Sequence, residues 1–252
     1  MAETDFAGKI ALITGGGSGI GRATAVHLAQ RGAHVTITGR RAKALDETLA
    51  LITAAGGTGD AVAMDVCDPA AMERLHGDLL DRHGRLDIAF NNAGFQEARG
   101  PLHTQPDAVY AQVFDTNVRA VLDGLRHQIP AMIAQGGGAI VVNASVSGLR
   151  NPNPGFGLYS ASKAAVISMT RAAAMEVAQD GVRINAVAPG RVVTDMMLNS
   201  KVMDMRAVAA GLPLRRMGTP EEVAAAVAWL ASDAAAFVVG HVLCVDGGFM
   251  AG

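Results

Sequence analysis

KIALITGGGSGIGRATAVHLAQRG, residues 9–32, changes character twice. KIALIT (9–14) is an apolar, β-branched run and reads as a strand, while IGRATAVHLAQRG (20–32) reads as a helix. TGGGSGIG (14–21) joins them. Its spacing, Thr14-Gly15-x-x-x-Gly19-x-Gly21, departs from the strict G-x-G-x-x-G fingerprint, yet its context of strand before and helix after is the required one. Glycines permit a tight turn and close backbone approach to a pyrophosphate. The following helix N-terminus offers N–H donors and the positive end of its dipole. A merely flexible loop in a chain with 30 glycines is the other reading, but it does not account for the position at a first strand–helix turn. A dinucleotide is therefore expected, held at Gly15, Gly17, Ser18, Gly19 and Gly21.

Outward from this turn the alternation continues. Strands are expected at HVTITG (34–39), DAVAMDV (60–66), LDIAFNN (86–92), GAIVVNA (138–144), VRINAVA (182–188) and HVLCVDG (241–247). Helices are expected at 42–56, 69–84 (opened by Pro69), 106–129, 159–179 and 220–232. Several strands are apolar on both faces, as when helices cover both sides of a parallel sheet. The pattern predicts an α/β fold: a doubly wound, parallel, seven-stranded sheet of Rossmann type with right-handed crossovers. No composition break divides the chain, so residues 1–252 are read as one domain. The irregular stretch at about 190–219 is read as a substrate lid, since loops that long are usually functional.

Composition narrows the function. The chain is 50% hydrophobic and 17% charged, with a formal net charge of −2. Neither nucleic acid nor an anionic membrane is expected as a partner, because both call for clustered Lys and Arg. Apolar runs fall short of the ~18–20 residues of a membrane span. MAETDFAGK lacks the apolar core of a secretory signal. Cys67 and Cys244 make no disulfide framework. A reduced, cytoplasmic, soluble protein is expected.

The cofactor's phosphate state is read at the end of the second strand. An acid there would bind the ribose 2′-hydroxyl of NAD. ITGRRAK (37–43) offers Arg40 and Arg41 instead, with no acid before Asp46. Guanidinium groups suit a 2′-phosphate and are disfavoured at a helix start, so NADP(H) is preferred over NAD(H).

LYSASKAAV (158–166) holds one of the two tyrosines. Tyr159 and Lys163 share a helix face. A phenol with a pKa of ~10 needs help near pH 7, and a nearby ammonium favours its ionised form. The pair can therefore serve as a general acid/base. Ser160, Ala161 and Ser162 are read as leaving room for a nicotinamide ribose. Ser145 ends one apolar strand, Asn91 and Asn92 another, and Pro189 and Gly190 a third. All converge on the carboxyl edge where such sheets bind ligands.

The sequence is similar to the short-chain dehydrogenase/reductase family, collinearly from about Lys9 to Gly248. The resemblance rests on TGGGSGIG, DV (65–66), NNAG (91–94), FDTNV (114–118), NASVSG (143–148), YSASK (159–163), NAVAPG (185–190) and VDGG (245–248). It implies a catalytic tetrad of Asn117, Ser145, Tyr159 and Lys163. Tyr159 would pass a proton to or from the substrate oxygen, and Ser145 would hydrogen-bond that oxygen. Lys163 would bind the nicotinamide ribose and lower the Tyr159 pKa, and Asn117 would hold a water. It also implies cofactor contacts by Ile20, Asp65, Val66, Asn92, Ala93, Gly94, Pro189, Gly190, Val192 and Thr194. Ser145 precedes Tyr159 by one residue more than is usual. The extra residue falls in LRNPNPGFGL, a loop over the site. Ser147 is a second hydroxyl, and Ser145 is preferred because Gly148 follows it at the family spacing.

No G-x-S-x-G, G-K-[ST], H-E-x-x-H or paired C-x-x-C is present, against a serine hydrolase, a phosphate-loop NTPase and a zinc dehydrogenase. A non-catalytic dinucleotide sensor or scaffold would need the glycine turn but not the tetrad. The expected substrate is a mid-sized ketone or secondary alcohol with an apolar body. Its pocket would be lined by 95–103, 146–158 and a lid carrying Met196, Met197, Met203 and Met205. Arg150, Arg191, Lys201 and Arg206 are available to an acidic group. A 3-oxoacyl thioester, sugar, polyol or steroid substrate stays open. The resemblance implies a homo-oligomer, most often a tetramer.

Overall fold

The computed structural model describes residues 5–151, 154–199 and 204–251. The expected sheet forms from β1 (Ile10–Thr14), β2 (His34–Gly39), β3 (Thr58–Ala63), β4 (Ile88–Asn91), β5 (Gly138–Asn143), β6 (Val182–Pro189) and β7 (Val242–Val245). All pairings are parallel, and the order is β3-β2-β1-β4-β5-β6-β7. The main helices are α1 (Gly19–Gln30), α2 (Ala42–Ala54), α3 (Pro69–His83), α4 (Asp107–Phe114), α5 (Ala120–Ala134) and α6 (Gly157–Val177). Two short helices, α7 (Asp195–Asn199) and α8 (Met205–Ala210), precede α9 (Pro220–Ala231).

Strand alternation sorts the apolar side chains into two layers. Leu12, Ala89, Ile140, Val142 and Ile184 face α3, α5 and α6, meeting Met72, Leu125 and Val166. Ala11, Ile13, Val35, Phe90 and Val141 face α1, α2 and α9, meeting Leu28, Ile52 and Val227. This is why the central strands read as continuously apolar. At ~25 cal/mol per Å² these two layers supply the main drive for folding.

Three details differ from the sequence expectation. β3 begins at Thr58 and stops at Ala63, because pairing with β2 recruits Thr58 and Gly59 despite their weak strand preference. The helix expected at 106–129 reaches Ala134, passes through Pro130, and contains a π-helical turn at Asp115–Arg119. Such turns often mark functional sites, and this one carries the fully buried Asn117. The stretch 190–219 contains regular structure: Val192 bridges to Gly218, and α7 and α8 lie between.

Candidate active site

The strand order reverses between β1 and β4, which opens a crevice at their carboxyl ends. A continuous run of hydrogen bonds crosses it. Thr14 Oγ1 accepts from the N–H groups of Asn92 (2.9 Å) and Ala93 (3.0 Å). Asn92 Nδ2 donates to the carbonyls of Thr14 (2.9 Å) and Gly15 (3.2 Å). Asn143 Nδ2 donates to Asn92 Oδ1 at 2.8 Å, and Lys163 Nζ donates to the Asn143 carbonyl at 2.6 Å. Four elements, β1, β4, β5 and α6, are thus fixed to one another. The sequence reading named Asn92 and Lys163 but missed the parts of Thr14 and Asn143. Both stood in quoted motifs, and only the sheet order shows them to be neighbours.

The glycine turn is built for close approach. Gly15 and Gly19 sit at φ +68° and +51°, a region that favours glycine. A Cβ on Gly21 would stand 2.2 Å from the Gly15 carbonyl oxygen. Ser18, the N-cap of α1, makes no side-chain cap, and the first turn holds no acid. The first N–H groups of α1 are therefore left for an anion. Arg22 braces the turn, donating to the Gly17 carbonyl (2.6 Å), Thr48 Oγ1 (3.0 Å) and Glu47 (3.1 Å). The segment after β6 folds over it: a Cβ on Gly19 would lie 3.3 Å from the Thr194 methyl. Gly190 stays bonded to the Val245 carbonyl, and Val192 is buried.

Farther along the same edge lie the other expected cofactor residues. Arg40 and Arg41 are exposed past the end of β2, and their side chains make no hydrogen bond or ion pair among the described residues. Val66 is buried past β3, while Asp65 is exposed and accepts from the Cys67 N–H at 3.0 Å.

The four expected catalytic side chains converge. Lys163 is 4% exposed, and among the described residues its only hydrogen bond is to Asn143. No carboxylate offsets its charge, so burial pulls its pKa down to about 8. Its Nζ stands 5.7 Å from the centre of the Tyr159 ring. Ser145 is buried and accepts from the Ser147 N–H at 3.1 Å. Its hydroxyl favours the ionised form of the Tyr159 phenol. Asn117 Nδ2 donates to the Phe95 carbonyl (2.8 Å) and Ser162 Oγ (2.9 Å), and its Oδ1 accepts from the Phe95 N–H (2.7 Å). Ser162 in turn donates to the Tyr159 carbonyl at 2.7 Å. The Asn117 side chain thus holds the loop after β4 against α6.

Two expectations are corrected. Ser160 and Ser162 face inward and are buried, so of the three small residues only Ala161 lies open. The Tyr159 phenol is not drawn down in the chain alone: burial pushes its pKa up, the Ser145 hydroxyl opposes this, and the Glu97 carboxylate reinforces it. Glu97 itself escaped the sequence reading. It is 3% exposed and meets the start of α6.

On the segments expected to line the pocket, Leu102, Leu149, Val193, Met196, Leu198 and Leu214 are exposed. Met205 is half-buried, and Lys201 and Met203 lie outside the described residues. Arg150 rests on the Phe249 ring, 4.9 Å from guanidinium carbon to centroid. His103 follows Leu102 in the loop after β4. Two histidines that the sequence left scattered, His34 and His83, meet Asp60 at the opposite edge, with potential ligand atoms within 4.8 Å.

A nicotinamide dinucleotide fits these residues on two local observations. The first turn of α1 has neither a side-chain cap nor an acid, and Asn143 Oδ1 is buried without a partner among the described residues. The buried ammonium of Lys163, with two donors unused, adds to the fit. Residues 15–250 match the family model described as enoyl-(acyl carrier protein) reductase. The chain is 41% identical to cis-4-hydroxycyclohexanecarboxylate dehydrogenase of Sinomonas cyclohexanicum over 98% of each protein. It is 38% identical to cyclohexanol dehydrogenase of an Acinetobacter species, over 99% of this chain and 98% of that one. The crystal structure of a levodione reductase superposes with a TM-score of 0.94 at 36% identity, over 98% of this chain and 99% of that one. The protein belongs to the short-chain dehydrogenase/reductase family. It is an oxidoreductase of that type, working between CH–OH and C=O groups with a nicotinamide dinucleotide.

Proposed function

We propose that the protein interconverts an alicyclic secondary alcohol and its ketone with NADP(H), using Tyr159 as proton donor and acceptor. The observation that carries this is the buried Lys163, bonded to the Asn143 carbonyl and 5.7 Å from the centre of the Tyr159 ring, with buried Ser145 at the carboxyl edge of the sheet. When bound, the nicotinamide supplies or accepts the hydride. The chain supplies the rest. Ser145 and Tyr159 present two hydroxyl groups to one substrate oxygen, so charge developing there is met by two donors. In reduction Tyr159 gives up its proton; in oxidation it takes one. Lys163 stands close enough to favour the phenolate that reduction leaves. Its unused donors suit the ribose hydroxyls. Asn117 acts on geometry, keeping Phe95 and α6 in register.

Arg40 and Arg41 support NADP(H): they are exposed at the end of β2 and face no acid there. The apolar residues expected around the pocket and the ring-bearing substrates in two relatives' names favour a compact alicyclic body. Exposed Met175 on α6, Trp229 on α9, Phe237, and Tyr110, Leu122 and Ile133 on α4 and α5 support a homotetramer. A light-scattering mass near the 25.8 kDa of one chain would overturn that assembly.

The test is oxidation of NADPH and of NADH with a panel of cyclic ketones, comparing wild type with Tyr159→Phe. Faster turnover with NADPH, lost in the variant, is expected. A wild type that binds NADPH and stays inert across the panel would favour a dinucleotide sensor.

A further inference from the structure

Glu97 lies in the loop after β4 and is 3% exposed. Burying a carboxylate is costly unless strong donors meet it. Here they are backbone groups. Its Oε1 accepts from the N–H of Leu158 at 3.0 Å, and both oxygens accept from the N–H of Tyr159 at 3.1 Å. These are orphan donors of the first turn of α6. The helix has no cap of its own there: Phe156 makes none, and the first turn holds no acid. Glu97 therefore caps α6 from a position 61 residues upstream and is drawn by the positive end of its dipole.

The capping contact is one of several between the same two loops. The Gly100 N–H donates to the Gly155 carbonyl, and Arg99 Nε donates to the Pro154 carbonyl, both at 3.0 Å. A Cβ on Gly157 would touch the Leu102 side chain at 3.0 Å. The segment 97–102 is thereby laced to 154–159, and both flank the crevice. Glu97 is the only buried charge among these contacts, and the only one that ends on Tyr159 itself.

We propose that Glu97 is a positioning residue. It fixes the start of α6, so that the reacting hydroxyl of Tyr159 and the substrate-facing loop 97–102 move as one body. The proposal rests on the reading of Tyr159 as proton donor. Three groups bear on that phenol: Ser145 past the end of β5, Lys163 from the next turn of α6, and, through its charge, the Glu97 carboxylate held at the Tyr159 N–H. Glu97 opposes ionisation of the phenol and Ser145 favours it. With a misplaced hydroxyl, the cost falls on the chemical step rather than on dinucleotide binding, because the glycine turn lies on other elements.

The experiment compares Glu97→Ala, Glu97→Gln and Tyr159→Phe in the full chain. Readouts are kcat and KM for a cyclic ketone, the NADPH Kd by fluorescence, melting temperature, and amide exchange over 157–160. Glu97→Ala should lower kcat about 10- to 100-fold at unchanged NADPH Kd, with faster exchange at the start of α6. Glu97→Gln keeps one carbonyl acceptor, so it should regain most of the lost kcat. Its basic pH limb should move to lower pH, since the opposing charge is gone. Wild-type kcat in Glu97→Ala overturns the proposal. So does a parallel loss of NADPH binding, melting temperature and activity in both Glu97 variants, which marks a merely structural residue. If Tyr159→Phe keeps turnover, the proton-donor reading fails, while amide exchange still reports whether Glu97 caps the helix.

Discussion

At the amino end of the sheet, charged side chains face charges of the opposite sign. His34 Nε2 and Arg82 Nη1 both reach Asp60 Oδ2, at 3.0 and 2.8 Å. Asp87 takes Arg85 at 2.5 Å and the Ile10 N–H at 2.9 Å, with Lys9 at 3.7 Å. At the carboxyl end the buried charges meet backbone instead. Lys163 reaches one carbonyl, and Glu97 reaches two N–H groups. Most of the amino-end groups satisfy one another and so tie strands together, although His83 Nε2 is left 3.7 Å from Asp60 without a hydrogen bond among the described residues. The carboxyl-end groups are held in place but left electrostatically incomplete, which costs stability and leaves them available to a ligand. A binding edge and a structural edge thus differ less in how polar they are than in what their polar groups are paired with.

Removing the reacting group should break this contrast most visibly. Tyr159→Phe deletes one hydroxyl and leaves the ring in place. A kcat lower by about 10³-fold is expected, with melting temperature nearly unchanged, by steady-state assay and differential scanning fluorimetry. A loss under tenfold would show that the proton travels by another route.

Lys163→Met comes next, because its effects on activity and stability run in opposite directions. Turnover should fall about 10²-fold. For stability, the pKa of Lys163 drops from 10.5 unfolded to about 8 folded. Between those values the unfolded chain binds more protons, so wild-type stability rises with pH across that window. Below about pH 8 the full cost of the buried ammonium is present, about 3 kcal/mol. Lys163→Met should therefore be the more stable protein at pH 7 in the absence of dinucleotide. That advantage should shrink toward pH 10.5. Parallel pH profiles for the two proteins would show that the ammonium costs nothing where it sits.

Thr14→Val probes the scaffold between the two ends. The shape is kept, but the N–H groups of Asn92 and Ala93 lose their acceptor. Stability should fall by about 2 kcal/mol, measured by urea denaturation, and NADPH affinity should weaken because Asn92 also props the Gly15 carbonyl. An unchanged midpoint would mean that water replaces the hydroxyl.

The boundary between what the sequence disclosed and what it concealed follows the same physics. The alternating strands and helices were legible because each must bury an apolar face, and burial imposes a period. The glycine turn and the Tyr159–Lys163 pair were legible because their partners lie within one turn. Glu97 was not, since its partners lie 61 and 62 residues away and a glutamate in a loop carries no local pattern. Asn143 stood in a motif without a visible reason, and its bonds to Asn92 and Lys163 exist only once β5 lies beside β4. The inward turn of Ser160 and Ser162 depends on which face of α6 meets the sheet. Their type alone allowed open space or burial. His34 and His83 read as scattered because they open β2 and close α3, with α2 and β3 between them in sequence.

Asp60→Asn, the mildest change, tests the structural edge. Burial alone would raise the Asp60 pKa, but the hydrogen bonds from His34 and Arg82 outweigh it and hold the carboxyl below 3.8. The stability this provides is present above the unfolded value and is lost as pH falls through the folded one. Asp60 and its partners are substantially exposed, so solvent screens the gain. Asp60→Asn should cost less than about 1 kcal/mol at pH 7, and added salt should narrow the gap. Once the pH falls below the folded value of Asp60 the two proteins should melt alike, and turnover should be unaffected because the cluster lies at the other end of the sheet. A loss of several kcal/mol, insensitive to salt, would show that this edge too holds a charge the fold cannot compensate, and the contrast between the two ends would collapse.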